Sequence, residues 1–169
     1  MVKIRKAASN EVEIIRRERV KAYEEHENSI PKGHWEALKK AISSDTDEQP
    51  GVELLAAELD GKIVGSVAIF PSKSDVYDGF TDMLDYPEIR MLAVNEEYRG
   101  QGIAEALIKE CIVRVKTKGY QHVGLHTADF MITAMRLYNR LGFVRIPKYD
   151  FQPADDGIIV KAFQLSIKD

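Results

Sequence analysis

The chain has 169 residues, which fits one domain able to bury about 70% of the surface that its unfolded form exposes. Its 44% hydrophobic and 30% charged residues are typical of a globular protein and exclude a disordered or collagen-like chain. The formal charge of −3 supplies no basic field for a phosphate backbone, and a single cysteine excludes a disulfide framework and a multi-cysteine zinc site. We therefore expect no nucleic-acid partner.

Nothing in the sequence predicts a membrane or secreted protein. No apolar run approaches the roughly 20 residues that are needed to cross a bilayer. Residues 1–8 lack the apolar core of a signal peptide. We expect a cytoplasmic protein with no membrane partner.

The N-terminal part of the chain predicts one strand and two helices. Residues 3–6 predict the strand, and Asn10 with Glu13 predicts a capping box for a helix that ends near Tyr23. Apolar residues at helical spacing over 35–42 predict a second, shorter helix.

Residues 43–51 predict a polar loop that leads into a hairpin. Two strand-like runs, 52–59 and 62–70, flank the dipeptide Asp60-Gly61. This dipeptide between two apolar runs is a strong short-range hairpin signal.

The remaining elements alternate between strands and helices. After an acidic loop at 71–87, the pattern predicts strand 89–94 and then a helix with an apolar stripe over 103–115. Strand 122–128 and a helix around 134–141, capped by Gly142, follow. The last two predicted strands are 143–151 and 158–167. Because the alternation continues from end to end without a repeat, it predicts a single α/β domain over residues 1–169.

The segment 91–105 (MLAVNEEYRGQGIAE) predicts an anion-binding turn between a strand and a helix. Glycine has no β-carbon to block an approaching ligand, and a helix N-terminus adds roughly half a positive charge. A dinucleotide fingerprint would need glycine where Glu105 stands, and no Gly-Lys-Ser/Thr follows for a P-loop.

This segment resembles the acyl-coenzyme A loop of the GNAT superfamily of N-acetyltransferases, whose pattern is Arg/Gln-x-x-Gly-x-Gly/Ala. Arg99, Gly102 and Ala104 stand at those positions. A second segment, 137–143 (LYNRLGF), resembles the Leu-Tyr-x-Lys-x-Gly-Phe segment of the family and follows one strand and one helix downstream. The order of the predicted elements is similar over essentially the whole chain.

The resemblance implies a mixed α/β fold in which about four helices flank a mostly antiparallel sheet of about six or seven strands. It implies an N-acetyltransferase that uses acetyl-coenzyme A as co-substrate and acts on a primary amine by direct attack in a ternary complex. The four histidines are scattered without paired spacing, so the sequence predicts no metal site. The amine is carried by a small molecule or a peptide, and a homodimer is one oligomeric state that the family shows.

The resemblance also implies which residues bind the co-substrate. The backbone of Leu92, Ala93 and Val94 pairs with the pantetheine arm. Main-chain N–H groups bind the pyrophosphate, so the lack of bulk at Gly102 matters more than side-chain identity. The residues expected to supply them are Arg99, Gly100, Gln101, Gly102, Ile103, Ala104 and Glu105.

Two residues are candidates for the catalytic roles. Tyr138 matches the family tyrosine that approaches the coenzyme A sulfur, where it contacts the co-substrate and can protonate the thiolate; the alternative is a tyrosine packed in a helix stripe. Glu88 resembles in position a carboxylate used as general base, and the alternative is a solvent-exposed glutamate at the entry of a strand.

Two residues depart from the family pattern. Met131 stands where the family often has a cofactor-contacting asparagine, and Arg140 replaces the lysine and keeps its charge.

Cys111 lies on an apolar helix stripe and is expected to be an inert core thiol rather than a nucleophile. His126 is expected to be a hydrogen-bonded sheet histidine, although it could face the cleft.

The loop 75–88 (DVYDGFTDMLDYPE) alternates carboxylates and aromatic residues, which suits a cationic acceptor amine. The alternative is an acidic loop that is simply solvated. For the whole chain, the alternative to an enzyme is a catalytically silent acyl-coenzyme A-binding regulatory module.

Overall fold

A computed structural model describes residues 1–74, 79–80 and 82–167. The chain forms two compact units. The first unit contains residues 1–69 and 91–110, and the second contains residues 70–90 and 111–169. In the described part of the chain, no helix is long and apolar enough to cross a membrane.

The described residues form seven strands and four α-helices, which confirms the predicted fold class. The strands are β1 (Lys3–Lys6), β2 (Glu53–Leu59), β3 (Lys62–Phe70), β4 (Glu88–Val94), β5 (His122–Ala128), β6 (Val144–Arg145) and β7 (Val160–Ser166). Their order in the mixed sheet is β1-β2-β3-β4-β5-β7-β6. Strand β4 contributes its first residues to the second unit and its last residues to the first. The helices are α1 (Val12–Tyr23), α2 (Lys32–Ile42), α3 (Ile103–Thr117) and α4 (Ile132–Arg140).

The predicted hairpin is confirmed in the first unit. Strand β1 pairs with β2, and β2 with β3, in antiparallel register. Asp60 and Gly61 link β2 to β3 with φ angles of 51° and 78°. Positive φ at both central residues is the geometry of the tight turn whose twist matches that of the flanking strands.

The start of α1 differs from the predicted capping box at Asn10 and Glu13. A short 3-10 turn at Ser9–Glu11 precedes the helix, and the Glu11 carboxylate accepts a hydrogen bond from the Ala8 backbone N–H at 2.7 Å. Glu11 also binds the guanidinium of Arg5 at 2.8 Å, which lowers the pKa of Glu11 to about 2. The prediction was wrong because this ion pair with β1 selects Glu11 over Glu13.

The predicted polar loop 43–51 contains a buried ion-pair cluster. Asp47, in the 3-10 turn Asp45–Glu48, receives hydrogen bonds from Arg16 and Arg19 of α1. The side chains of Arg19 and Asp47 are both 0% exposed. Burial lowers the pKa of Arg19, and the charge of Asp47 opposes that shift. Asp47 therefore anchors the loop to α1, while most of the other loop residues are exposed.

In the second unit, β5 pairs with β7 in antiparallel register over its whole length. The predicted strand 143–151 was wrong in extent, because β6 has two residues and then gives way to a 3-10 turn at Pro147–Tyr149. Proline lacks the N–H that a sheet ladder needs. A single antiparallel bridge between Phe151 and Val160 continues the pairing after the turn.

The long helix α3 carries the predicted apolar stripe. Ile103, Leu107, Ile108, Cys111 and Val115 are each at most 3% exposed. Cys111 is 0% exposed, as expected of a core thiol. The stripe therefore fixes which face of the helix is buried.

Candidate active site

Strand β4 changes backbone conformation at Met91 immediately before the predicted pantetheine-binding residues. Met91 has a φ of 62° and is 6% exposed. A left-handed conformation at a non-glycine residue costs about 1–3 kcal/mol and persists only where the surrounding structure imposes it. It breaks the regular alternation of the strand at the point where Leu92, Ala93 and Val94 begin.

Gly65 of β3 lies close to the same stretch of β4. A β-carbon at position 65 would lie 2.9 Å from the carbonyl oxygen of Ala93 and 3.3 Å from Ile103 and Leu107 of α3. Only glycine permits this approach. Gly65 thus positions both the end of β4 and the start of α3.

The turn that leads into α3 presents open backbone. Gly100 and Gly102 both have φ of 78°, both are exposed, and no atom lies within 4 Å of a β-carbon built on either. The N–H of Ala106 donates to the carbonyl of Gly102 at 3.0 Å. The N–H groups of Ile103, Ala104 and Glu105 therefore precede the helical hydrogen-bond ladder. This geometry fits a pyrophosphate, because donors and space coincide.

The side chain of Arg99 holds this turn in place. Its guanidinium forms an ion pair with Glu25 and donates to the carbonyl oxygens of Ala22 at 3.2 Å and Val94 at 3.3 Å. Arg99 thereby ties the turn to the end of α1 and to the end of β4. The contribution expected of Arg99 to ligand binding is its backbone N–H, which donates to the carbonyl oxygen of Glu96 at 3.4 Å, and this contribution stays a prediction.

Glu88 lies in the second unit and is 3% exposed, so the alternative of a solvent-exposed glutamate was wrong. Its Oε1 is 2.7 Å from Nδ1 of His126, whose Nε2 is 3.0 Å from the carbonyl oxygen of Tyr149. His126 is therefore a hydrogen-bonded sheet histidine, as expected, and its partner is the predicted base. Oε2 of Glu88 is buried and has no hydrogen-bond partner among the described residues.

Tyr86 packs beside this pair where β5 lacks a side chain. A β-carbon at Gly124 would lie 2.6 Å from the Tyr86 ring, so the glycine makes room for it. Gly124 is also the register partner of Glu88. Burial raises the pKa of Tyr86, a side-chain hydrogen bond with Gln164 lowers it, and the charge of Glu88 adds to the rise.

Tyr138 lies on α4 in an aromatic cluster. It is 6% exposed, and its ring centroid is 5.8 Å from that of Phe143 and 6.2 Å from that of Phe163. Met131 precedes the helix, and its sulfur accepts a hydrogen bond from the Thr127 hydroxyl at 3.5 Å. The catalytic role of Tyr138 stays a prediction.

The acidic loop divides into different environments. Asp75, Tyr77 and Asp78 lie outside the described residues, whereas Asp82 and Asp85 are exposed. The ring of Phe80, 51% exposed, stacks at 5.7 Å on Phe151, which in turn lies 5.5 Å from the His126 ring. No group of three His, Cys, Asp or Glu side chains in the described ranges is arranged to hold a metal ion.

The sequence did not predict the Glu88–His126 pair, the left-handed Met91 or the close approach at Gly65. A lone glycine inside a strand pattern signals a close backbone approach, and that signal could have identified Gly65 and Gly124. No sequence signal marks Met91, because methionine has no preference for positive φ.

Residues 12–143 of the chain match the sequence model of the acetyltransferase (GNAT) family. This match covers most of the chain, so the chain belongs to the GNAT acetyltransferase family. The match includes both the glycine turn and the segment 137–143.

Among curated proteins, the chain is similar to the N-acetylaspartate synthetase of Xenopus tropicalis, with 32% identity over 67% of this chain and 40% of that protein. It is also similar to human N-acetyltransferase 8B, with 35% identity over 52% of this chain and 36% of that protein. An N-alpha-acetyltransferase 30 from Schizosaccharomyces pombe is 38% identical over 57% of this chain and 59% of that protein. The chain thus spans well under half of the length of the first two.

Solved structures show the same fold. An acetyltransferase from Corynebacterium glutamicum, described as histone acetyltransferase HPA2 and related acetyltransferase, matches with a TM-score of 0.74 at 20% identity, over 99% of this chain and 97% of that one. A PaiA N-acetyltransferase from Thermoplasma acidophilum, solved in complex with coenzyme A, matches with a TM-score of 0.70 at 15% identity, over 98% and 99%.

Proposed function

We propose that this protein is an N-acetyltransferase that transfers the acetyl group of acetyl-coenzyme A to a primary amine by direct attack in a ternary complex. The observation that carries the proposal is the open glycine turn at the start of α3, where Gly100 and Gly102 leave space beside helix N–H groups. Acetyl-coenzyme A supplies the acetyl group as a thioester. Family membership and the coenzyme A complex of the Thermoplasma acidophilum protein support this choice of co-substrate.

The residues of the turn bind the co-substrate in this proposal. Main-chain N–H groups from Arg99 to Glu105 hold the pyrophosphate, and the backbone of Leu92, Ala93 and Val94 holds the pantetheine arm. The positive end of the α3 dipole favours the phosphate charge. The contacts of Arg99 with Glu25, Ala22 and Val94 support this assignment, because they link the turn to the region around the end of α1 and to β4.

Glu88 and Tyr138 carry the proton transfers. An amine must lose a proton as it is acylated, and the buried Oε2 of Glu88 is an acceptor without a protein donor among the described residues. The departing thiolate gains a proton, and the hydroxyl of Tyr138 is the proposed donor. The relatives include an N-acetylaspartate synthetase and an N-alpha-acetyltransferase, so the acceptor stays open between small molecules and peptides.

The test is release of coenzyme A thiol over a panel of primary amines that includes amino acids, polyamines and peptides with free N-termini. We expect release above the hydrolytic background with at least one amine, and its loss in Glu88→Gln. The silent-binder alternative predicts acetyl-coenzyme A binding in calorimetry with no amine-dependent release from any member of the panel.

A further inference from the structure

The buried pair of Glu88 and His126 is fixed by the sheet rather than by a loop. Glu88 of β4 is the register partner of Gly124 in the parallel strand β5, and His126 follows two residues later on the same face. The side chains of Glu88 and His126 are 4% and 1% exposed. Their contact is therefore held by backbone pairing and shielded from water.

Hydrogen bonding fixes the number of protons in the pair. The carbonyl oxygen of Tyr149 can only accept, so Nε2 of His126, at 3.0 Å, must carry a hydrogen. A hydrogen bond between Nδ1 and Oε1 of Glu88, at 2.7 Å, then needs one further proton on either atom. The pair is neutral in both cases, as imidazolium with carboxylate or as imidazole with carboxylic acid.

The second oxygen of Glu88 lacks a hydrogen-bond partner among the described residues. A buried polar atom in that state costs about 1–3 kcal/mol relative to a satisfied one. An N–H donor brought by a ligand would satisfy it. The pair thus combines a proton already shared at Oε1 with an open acceptor at Oε2.

Further ionisable side chains lie on the elements that neighbour the pair. Asp150 accepts hydrogen bonds from Arg145 and from the Ala162 backbone N–H, and Ala162 is the β7 register partner of His126. Asp85, before β4, is exposed. The phenol side chains of Tyr86 and Tyr149 are also ionisable, and burial raises the pKa of Tyr86.

We propose that Glu88 and His126 act as one proton acceptor, in which Oε2 of Glu88 takes the proton of the acceptor amine and His126 holds the resulting charge. The inference rests on the proposed acetyl transfer and adds a positioning residue to it. His126 does not touch the amine; it acts through Glu88.

Atoms and charges balance in this step. The amine nitrogen forms a bond to the acetyl carbon, the carbon–sulfur bond breaks with its electron pair on sulfur, and the nitrogen loses one proton to Oε2. If Oε1 carries the shared proton, that proton moves to Nδ1 at the same time. Either starting form ends as imidazolium beside a neutral carboxylic acid, so the added positive charge lies on His126. After the amide product leaves, Oε2 of Glu88 gives one proton to water that takes the place of the product, and the thiolate gains one proton from Tyr138 or from water.

The proton count is tested without turnover by NMR of protein labelled with ¹⁵N-histidine. We expect His126 to show a protonated Nε2 and a strongly deshielded proton shared between Nδ1 and the carboxyl group. The shared-proton signal should disappear in Glu88→Gln. An unprotonated Nε2, or no shared proton in the unmodified protein, overturns the proposal.

The catalytic consequence is tested with His126→Asn. The asparagine amide can donate to Oε1 in place of Nδ1, but it cannot take up a proton. We expect kcat to fall at least about tenfold and its pH profile to change shape, with unchanged acetyl-coenzyme A affinity in calorimetry. Thr127→Val, a buried change on the same strand, is the matched control and should keep kcat within about threefold.

The possible failures are distinguishable. If His126→Asn keeps kcat within threefold while Glu88→Gln is inactive, His126 is structural and the present proposal is overturned, but acetyl transfer stands. If Glu88→Gln is also fully active, the pair is not the proton acceptor. If no amine in the panel gives thiol release, the proposed function fails, and the catalytic role of the pair fails with it.

Discussion

Gly102 is the residue at which the proposed co-substrate binding depends most directly on the absence of a side chain. Its φ of 78° strains any other residue, and the space beside it is open. We expect Gly102→Glu to weaken acetyl-coenzyme A binding more than tenfold in calorimetry, because it adds bulk and a negative charge at the proposed pyrophosphate site.

Gly157 provides the matched control for this change. Its φ is 81° and its surroundings are equally open, so Gly157→Glu imposes the same backbone strain away from the turn. Gly102→Ala separates strain from charge and should weaken binding less than Gly102→Glu. Unchanged affinity in Gly102→Glu, with an intact circular dichroism spectrum, contradicts the predicted binding site.

Removal of the Tyr138 hydroxyl tests whether the protein is an enzyme or a silent binder. Tyr138→Phe keeps the ring contacts with Phe143 and Phe163 and removes only the hydroxyl, which is the proposed proton donor. General acid catalysis contributes about 10²- to 10⁴-fold, so kcat should fall by about that factor while coenzyme A affinity stays constant.

Tyr120→Phe is the control for loss of a tyrosine hydroxyl in the same unit. The hydroxyl of Tyr120 forms a hydrogen bond with the hydroxyl of Ser72 at 3.0 Å. That variant should retain kcat. If kcat decreases by less than about threefold in Tyr138→Phe, water protonates the thiolate and Tyr138 is a packing residue.

At the scale of secondary-structure elements, the close packing of β3, β4 and α3 depends on Gly65. Gly65→Ala places a β-carbon 2.9 Å from the Ala93 carbonyl oxygen, which must move. We expect a loss of about 1–3 kcal/mol in the free energy of unfolding, measured with urea, together with weaker acetyl-coenzyme A binding.

Gly33→Ala is the corresponding control in α2. No atom lies within 4 Å of a β-carbon there, so alanine should raise the free energy of unfolding by about 0.5–1 kcal/mol through its better helix propensity. Equal stability of the two variants would contradict the packing argument.

The connection between β1 and α1 predicts a specific acid sensitivity. Hydrogen bonds from Arg5 and the Ala8 N–H lower the pKa of Glu11 from 4.5 to about 2. A carboxyl with a lowered pKa in the folded state stabilises the protein above pH 4.5 and loses that contribution as pH falls toward 2. Because the pair is partly exposed, the contribution is about 1 kcal/mol.

Urea unfolding of Glu11→Gln should therefore show a deficit of about 1 kcal/mol at neutral pH that shrinks toward zero as pH approaches 2. Glu13→Gln, at an exposed position of α1, is the comparison and should show no such trend. A deficit that stays constant with pH would mean that the glutamine disturbs the turn in another way.

At the scale of the whole molecule, ligand binding and stability are linked. A ligand that binds only the folded protein adds about 2.7 kcal/mol of stability at 100 times its Kd. For a chain of this size, acetyl-coenzyme A should then raise Tm by about 5–10 °C. Gly102→Glu should show no such rise, and a rise equal to that of the unmodified protein would place the ligand elsewhere.

Local patterns in the sequence were enough to predict most of the architecture. Strands 3–6 and 122–128 were predicted at their observed limits, and Asp60-Gly61 predicted the hairpin, because periodicity and turn chemistry act over a few neighbouring residues. The glycine turn before α3 was predicted from its motif for the same reason. The extent of β6 was wrong because Pro147 and a 3-10 turn interrupt the ladder.

The sequence by itself determined the fold class, the order of the elements and the segment proposed to bind the co-substrate, since these follow from short-range patterns and from family resemblance. Only the tertiary structure decided that Glu88 is buried against His126, that Asp47 holds two arginines of α1, and that Arg99 ties its turn to Glu25. These partners lie far apart in sequence and meet through strand register and helix packing. Their pairing depends on the burial of whole elements, which no local pattern encodes.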